Sequence, residues 1–292
     1  MSIGPGLVQA SEERGLLFDG GAEICQIMWS QSASQKREIG YGKNGIDFYR
    51  PRLEFRPSRR DGPRWSYCLA RLLTADARTR LVEALSHIQS LMPGDEEYKP
   101  SHYAAEYNDY LASLIGHPQM RDLVHEVLGE DIRYDHCVSL NRPGGNGGAH
   151  WHSHEYGETR PELGFVRIFF YVNGFAPGDG ALKVVRGSHL FRDASIDFQS
   201  DSALREGWIQ DKVHPVTGQP LEIEELSAPE GSVVLMWTHA AHAVTPRRAG
   251  SDTRWTVVYA YRNPGLPSRA RWLSEAFEER GVPGAEGLLS LY

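Results

Sequence analysis

Three histidines on alternate positions, His150, His152 and His154, lie in the stretch GGAHWHSHEYGE (residues 147–158), and Glu155 follows at once. Alternation is the period of a β-strand, so the three side chains are expected on one side. Imidazoles crowded on one face repel one another when protonated and waste hydrogen-bonding capacity when buried. A metal ion resolves both problems, because neutral imidazole is a common metal ligand. Glu155 is one residue on and faces away unless the strand bends there. Two further histidines, His239 and His242, stand far downstream in GSVVLMWTHAAHAVTPRRAGSDTR (residues 231–254), a stretch that ends on Arg254.

Arginine is the second chemical signal. In TRWTVVYAYR, Arg254, Thr256, Val258 and Ala260 share one face of a strand, and Trp255, Val257, Tyr259 and Tyr261 share the other. An arginine among small residues suits a narrow barrel interior, where its planar fork grips a carboxylate in a way lysine does not. The competing reading is an ion pair with Asp252 at the strand mouth. In GFVRIFFYV, Arg167 lies with Phe165, Phe169 and Tyr171, opposite Val166, Ile168, Phe170 and Val172. If the second set is core, Arg167 faces the barrel and could meet substrate or a carboxylate; structural pairing is the alternative.

These side chains need a framework. From about residue 131 the sequence reads as eight short strands: DIRYDHCVSLNR, HWHSH, GFVRIFFYVNGF, GALKVVRGS, LEIEEL, GSVVLMW, AHAVTPR and TRWTVVYAYR. Long helices do not alternate with them, so a double-sheet jelly roll is expected and a parallel βαβ sheet is not. The glycines of RPGGNGG allow tight turning but form no phosphate loop, since no Lys-Ser/Thr follows.

Ahead of the strands, residues 74–92 predict a helix with Thr74 as N-cap and Leu81, Ala84, Leu85, Ile88 and Leu91 at helical spacing. Residues 117–131 predict a second helix, with Pro118 near its start and Gly129 near its end. SRARWLSEAFEER (268–280) reads as a closing helix. The segment RGSH (186–189) reads as a structural turn, with His189 near the site. Two segments, 155–164 and 190–220, are expected to be loops that wall or cover the site, the second being long for a compact domain. The whole chain is thus expected as one domain: loops and supporting helices over 1–130, a jelly-roll core over 131–262, and a C-terminal helix and tail over 263–292.

Bulk composition narrows the function classes. The chain has 292 residues, 40% hydrophobic and 24% charged, with a formal net charge of −7. An acidic chain is a poor partner for nucleic acid, which recruits clustered Lys and Arg. The Arg-rich stretch 50–64 permits an anionic substrate without demanding one. No apolar run is long enough to span a membrane, and the N-terminus lacks the basic start and apolar core of a secretory signal. Cys25, Cys68 and Cys137 are odd in number and far apart, which suits a reducing, cytoplasmic setting. Oligomeric state leaves no mark in the sequence.

Three pieces, in order, resemble the phytanoyl-CoA dioxygenase family of iron(II)- and 2-oxoglutarate-dependent oxygenases, which includes ectoine hydroxylase. WHSHE follows a Gly-rich turn where the family writes Trp/Leu-His-x-Asp. DGALKVVRGSH (179–189) is similar to Asn/Asp-Gly-x-Leu-x-x-x-Pro-Gly-Ser-His, with Arg186 in place of proline. HAVTPRRAGSDTR is similar to the distal histidine followed by arginine. The resemblance implies a cupin-like double-stranded β-helix that uses Fe(II), O2 and 2-oxoglutarate to oxidise a small organic molecule. It implies His152 and His242 as iron ligands and Arg254, with Thr256 on the same face, as the grip on the far carboxylate of 2-oxoglutarate. It also implies Asn141 or Ser139 near the other carboxylate.

The departure is residue 154, a histidine where the family has aspartate. Spacing by two lets His154 reach the same metal; Glu155 as third ligand, or no third protein ligand, are the alternatives. His150 and His239 are expected as walls or supports of the site. Imidazole in place of carboxylate leaves the centre one unit more positive. Two other readings stay open: a three-histidine oxygenase that uses no 2-oxoglutarate, and a non-catalytic jelly roll that binds a metal or ligand.

Overall fold

The computed structural model describes residues 66–94, 97–154, 164–267 and 270–291. The Arg-rich stretch 50–64, the segment 155–163 with Glu155, and Cys25 lie outside the described residues.

All eight expected strands occur: β2 (Arg133–Ser139), β3 (Ala149–His152), β4 (Phe165–Tyr171), β5 (Leu182–Val185), β7 (Ile223–Glu225), β8 (Ser232–Trp237), β9 (His242–Val244) and β10 (Thr256–Arg262). Two more join them, β1 (Ser66–Leu69) and β6 (Asp197–Phe198). At two residues, β6 is too short to leave a periodic signal. The strands form two five-stranded sheets, a major one in the order β1-β8-β4-β10-β2 and a minor one in the order β6-β3-β9-β5-β7. Every pairing is antiparallel. This is the double-stranded β-helix expected from the sequence, mainly β with its longer helices against the major sheet.

Side-chain alternation sorts the layers. Val166, Ile168, Phe170 and Val172 face the helices, together with Val257, Tyr259 and Tyr261. Phe169, Tyr171, Val234, Met236 and Val258 face the minor sheet and meet Leu182 and Val184 there. Arg167 is therefore inward, as the alternation predicts if the aliphatic set is core.

The helix α1 (Ala75–Ser90) begins where expected, with Thr74 Oγ1 accepting from the Ala77 N–H at 3.1 Å. Leu81, Leu85 and Ile88 are fully buried against the major sheet, each contributing about 1.5–3 kcal/mol of burial. Leu91, counted above with that face, instead closes the helix as its C-cap and is exposed. The helix α3 (Pro118–Leu128) also matches, with proline in its first turn.

Between them lies α2 (Asp109–Ile115), which the sequence reading missed. It is only seven residues long, and the sheet holds two of its carbonyls: the hydroxyls of Tyr259 and Tyr261 donate to Leu111 O and Ile115 O, both at 2.8 Å.

Two expectations need correction. The closing helix is shorter than 268–280: α5 spans Glu275–Arg280, started by Ser274, whose Oγ accepts from the Phe277 N–H. Before it, the chain is irregular, the Trp272 N–H bonds Ala270 O, and Arg271 Nη1 donates to Tyr134 O. The segment 190–220 is not a loose loop. It carries β6, the turn of helix α4 (Asp201–Leu204) and a wide helical turn at Arg205–Ile209. Ile196, Leu204, Trp208 and Ile209 pack with Trp151 on the outer face of the minor sheet. Burial of two tryptophans, each with its indole N–H bonded to an aspartate, fixes it there.

Candidate metal centre

His152 and His242 arrive from separate strands as direct Cα partners across the β3–β9 ladder. Gly148, at φ +79, permits this approach, since a Cβ there would stand 2.3 Å from Val244 O. The ring centroids of His152 and His242 are 4.2 Å apart, those of His152 and His154 4.9 Å, and those of His154 and His242 5.1 Å. One ring nitrogen from each of the three can be chosen so that all lie within 4.8 Å of one another.

The tautomers suit a metal. His152 Nδ1 donates to His150 O and His242 Nδ1 to Ala240 O, each at 2.8 Å. A carbonyl only accepts, so Nδ1 carries the proton and Nε2 keeps its lone pair, the pattern that fixes metal-binding imidazoles. Burial, helped by the neighbouring imidazoles and Arg167, holds His154 and His242 well below the usual histidine range and lowers His152 as well. All three are neutral near pH 7, the form that binds metal.

The DGALKVVRGSH piece supports this centre from below. Ser188 Oγ donates to Val185 O and accepts from the Ala241 N–H, pinning the turn that carries the Ala240 carbonyl under His242. His239 sits in that turn beside the cluster: its Nε2 lies 2.9 Å from Arg192 Nη2, and its ring hydrogen-bonds the backbone of His154. His150 is different. The register shifts between Ala149 and His152, and His150 turns out to the rim, where it faces Asp197 at 3.2 Å and is half exposed.

Arg254 points inward and is 2% exposed. Its guanidinium lies over Tyr171 and Phe175, with Cζ 5.4 and 5.8 Å from the ring centroids. Its Nε and Nη1 are buried with no hydrogen-bond partner among the described residues, and so is Thr256 Oγ1 two residues on. Burial brings the Arg254 pKa down to about 10, with Arg142 and Arg247 adding, so it remains charged near neutrality. Among the described residues Arg254 forms no ion pair with Asp252, whose backbone carbonyl accepts from Arg247. Open buried donors on a guanidinium, with a hydroxyl two residues on, are chemically suited to a carboxylate.

The other expected residues divide. Arg167 lies opposite Ala260 on β10 and Met236 on β8, on the interior face, within electrostatic reach of all three clustered histidines. Ser139 pairs with Val257, whose side chain packs among the helices, so it occupies the outer face. Asn141 Nδ2 donates to Leu85 O of α1. Neither is brought to the cluster: the interior positions of that strand belong to His136, Val138 and Leu140, the alternate set. Two interior residues were missed. Arg142 bridges to Arg254 by backbone pairing and its Nη1 holds Asn146 Oδ1 and Gly148 O. His136 is fully buried, with Nδ1 2.8 Å from Asp135 Oδ2. Alternation along DIRYDHCVSLNR puts His136, Val138, Leu140 and Arg142 in one phase, and that phase is the signal that finds both.

A double-stranded β-helix with a histidine cradle at two of its strands and a buried arginine whose Nε and Nη1 have no partner among the described residues is the framework of a mononuclear metal oxygenase. The sequence model of the phytanoyl-CoA dioxygenase family matches residues 74–254. The chain belongs to that family and is a non-haem iron(II)- and 2-oxoglutarate-dependent oxygenase.

Solved structures share the fold. EctD from S. alaskensis, in its apoform, superposes with a TM-score of 0.55 at 17% identity, covering 73% of this chain and 80% of that one. SnoK, a non-heme alpha ketoglutarate dependent carbocyclase from nogalamycin biosynthesis, gives 0.55 at 16% identity over 71% and 84%. EvdMO1 gives 0.53 at 16% identity over 71% of this chain, which spans about half, 49%, of that protein. A search of curated proteins finds no match in sequence. Among the described residues no helix is long and apolar enough to cross a membrane.

Proposed function

We propose that this oxygenase oxidises a small organic molecule at an iron(II) held by His152, His154 and His242, with 2-oxoglutarate anchored by Arg254 and Thr256. The observation that carries the proposal is the combination of three closely set imidazoles with a buried guanidinium that has two open nitrogens. When bound, iron supplies the redox chemistry that couples O2 and 2-oxoglutarate to oxidation of the substrate.

The chain's own residues do the rest. His152 and His242 present Nε2 because their Nδ1 protons are tied to carbonyls. Arg254 takes the far carboxylate of 2-oxoglutarate, and Thr256 Oγ1 donates to the same group. The aromatic rings of Tyr171 and Phe175 keep water from that ion pair, which strengthens it. Arg167, on the interior face near the histidines, supplies donors to substrate or cosubstrate. With imidazole at 154 the protein contributes no carboxylate to the first coordination sphere, so the centre holds anions more firmly than a two-histidine, one-carboxylate site would.

The reading without 2-oxoglutarate is disfavoured by the inward, open guanidinium of Arg254. A reducing, cytoplasmic setting belongs to the same proposal and rests on the cysteines, of which Cys137 is buried and unpaired. Succinate release by the purified protein, with iron and 2-oxoglutarate added singly and together under air, tests it. Release only when both are present supports the assignment, and absence of iron binding rejects it.

A further inference from the structure

His152 and His242 sit in strands, where ladder hydrogen bonds fix the backbone beneath them. Strand β3 ends at His152, so His154 lies past the last ladder position. A carboxylate at that place would offer two equivalent oxygens, whereas an imidazole must present one nitrogen in one direction. Something outside the strand must therefore hold this residue.

The adjoining turn at 192–193 reaches this stretch by two routes. Ser153 Oγ, between the two histidines, donates to the Asp193 carbonyl at 2.5 Å. Asp193 is itself held by its carboxylate: Oδ1 accepts from Ser195 N at 2.9 Å and from Ser195 Oγ, and Oδ2 accepts from Trp208 Nε1 at 2.8 Å. Trp208 is buried and meets Phe191 edge-on, so this anchor is set in the outer core. The second route runs through Arg192, whose backbone is left-handed at φ +49. That conformation is costly for a residue with a Cβ and is kept where surroundings demand it. Here it accompanies an Arg192 guanidinium that donates to His239 Nε2. With Nε2 accepting, the proton of His239 is on Nδ1, the atom able to donate to the His154 carbonyl.

We infer that Arg192 and Asp193 are positioning residues for the third metal ligand, acting on His154 through His239 and Ser153. The inference rests on the three-histidine reading above. It assigns to the segment 190–209 the work that a carboxylate ligand would make unnecessary.

Anaerobic titration of the full chain with Fe(II) tests it, without 2-oxoglutarate or turnover. Supporting partners of metal ligands change affinity by roughly 10- to 100-fold when removed. Ser153→Ala and Arg192→Gly are each expected to weaken Fe(II) binding by about that factor while leaving the thermal midpoint of the metal-free protein within a few degrees. Ser153→Thr, which keeps the hydroxyl, is expected to restore affinity. If Fe(II) binds and is lost in His152→Ala and His154→Ala, yet both test variants bind within twofold of the parent chain, the inference is overturned. The same holds if affinity falls only where the metal-free protein is equally destabilised, or if Ser153→Thr fails to rescue. Failure of the parent chain to bind Fe(II), or equal binding by His154→Ala, rejects the three-histidine reading instead and takes the inference with it.

Discussion

Gly180 lies directly against Arg254: a Cβ at residue 180 would stand 3.0 Å from Arg254 Nη1 and 2.5 Å from Arg247 Cδ. The glycine of DGALKVVRGSH is thus what lets two buried arginines pass side by side. Its φ of +71 adds a second reason for glycine. Gly180→Ala is expected to cost about 1–3 kcal/mol of stability from the backbone alone. It should also weaken 2-oxoglutarate binding, because the guanidinium must move. Urea unfolding and titration of the iron-loaded protein with 2-oxoglutarate measure the two effects; unchanged cosubstrate affinity would separate Gly180 from the anion site.

Arg254→Met should act with opposite signs on folding and on binding. The free protein carries a buried cation with open donors, and replacing a poorly compensated buried charge by an apolar side chain is often neutral or stabilising. The variant is therefore expected to unfold at the same or higher denaturant concentration. Losing the partner of a buried carboxylate costs about 2–5 kcal/mol, so 2-oxoglutarate affinity should fall by 30-fold or more. A variant that binds 2-oxoglutarate normally would show that the clamp lies elsewhere, with Arg142 next in line.

His154→Ala and Glu155→Ala divide the two candidates for the third ligand. His154→Ala is expected to lose most Fe(II) after desalting, and Glu155→Ala to retain it, as measured by metal content. His154→Asp should retain iron as well, with the centre one unit less positive and its hold on 2-oxoglutarate weakened. Iron retained in His154→Ala and lost in Glu155→Ala would reverse the assignment.

The sequence carried the strands and the cluster because both leave periodic marks. Alternation in GFVRIFFYV put Arg167 on the interior face, and the β3–β9 register put His152 beside His242, as the ordered motifs implied. Helix α2, β6 and the ordering of 190–220 leave no such mark. Helix α2 is short and leans on tyrosine hydroxyls from a distant strand, and β6 is two residues long. Ser139 and Asn141 were placed by analogy in position rather than by phase, and the phase sends them to the helices, leaving His136 inside. The ordering of 190–220 depends on indole contacts with two aspartates, which are long-range and invisible to local pattern.

His189 gives the protein an acid-sensitive element. Its ring is buried against Trp237, and neither nitrogen has a hydrogen-bond partner among the described residues. Burial, with His214 and His239 adding, pushes its pKa down to about 3 from an ordinary 6.5. The folded value lies below the unfolded one, so above pH 6.5 both states hold the ring neutral and nothing is lost. As pH falls from 6.5 toward 3, the unfolded chain takes up a proton that the folded chain refuses, and stability drops. The slope for one such group is at most about 1.4 kcal/mol per pH unit. His189→Phe keeps the contact with Trp237 and removes the titration. Urea unfolding at pH 7.5, 6 and 5 should show the variant losing less stability on acidification than the parent chain, with the difference growing as pH falls. Parallel losses in the two proteins would mean that the ring gains a proton or a partner in the folded state.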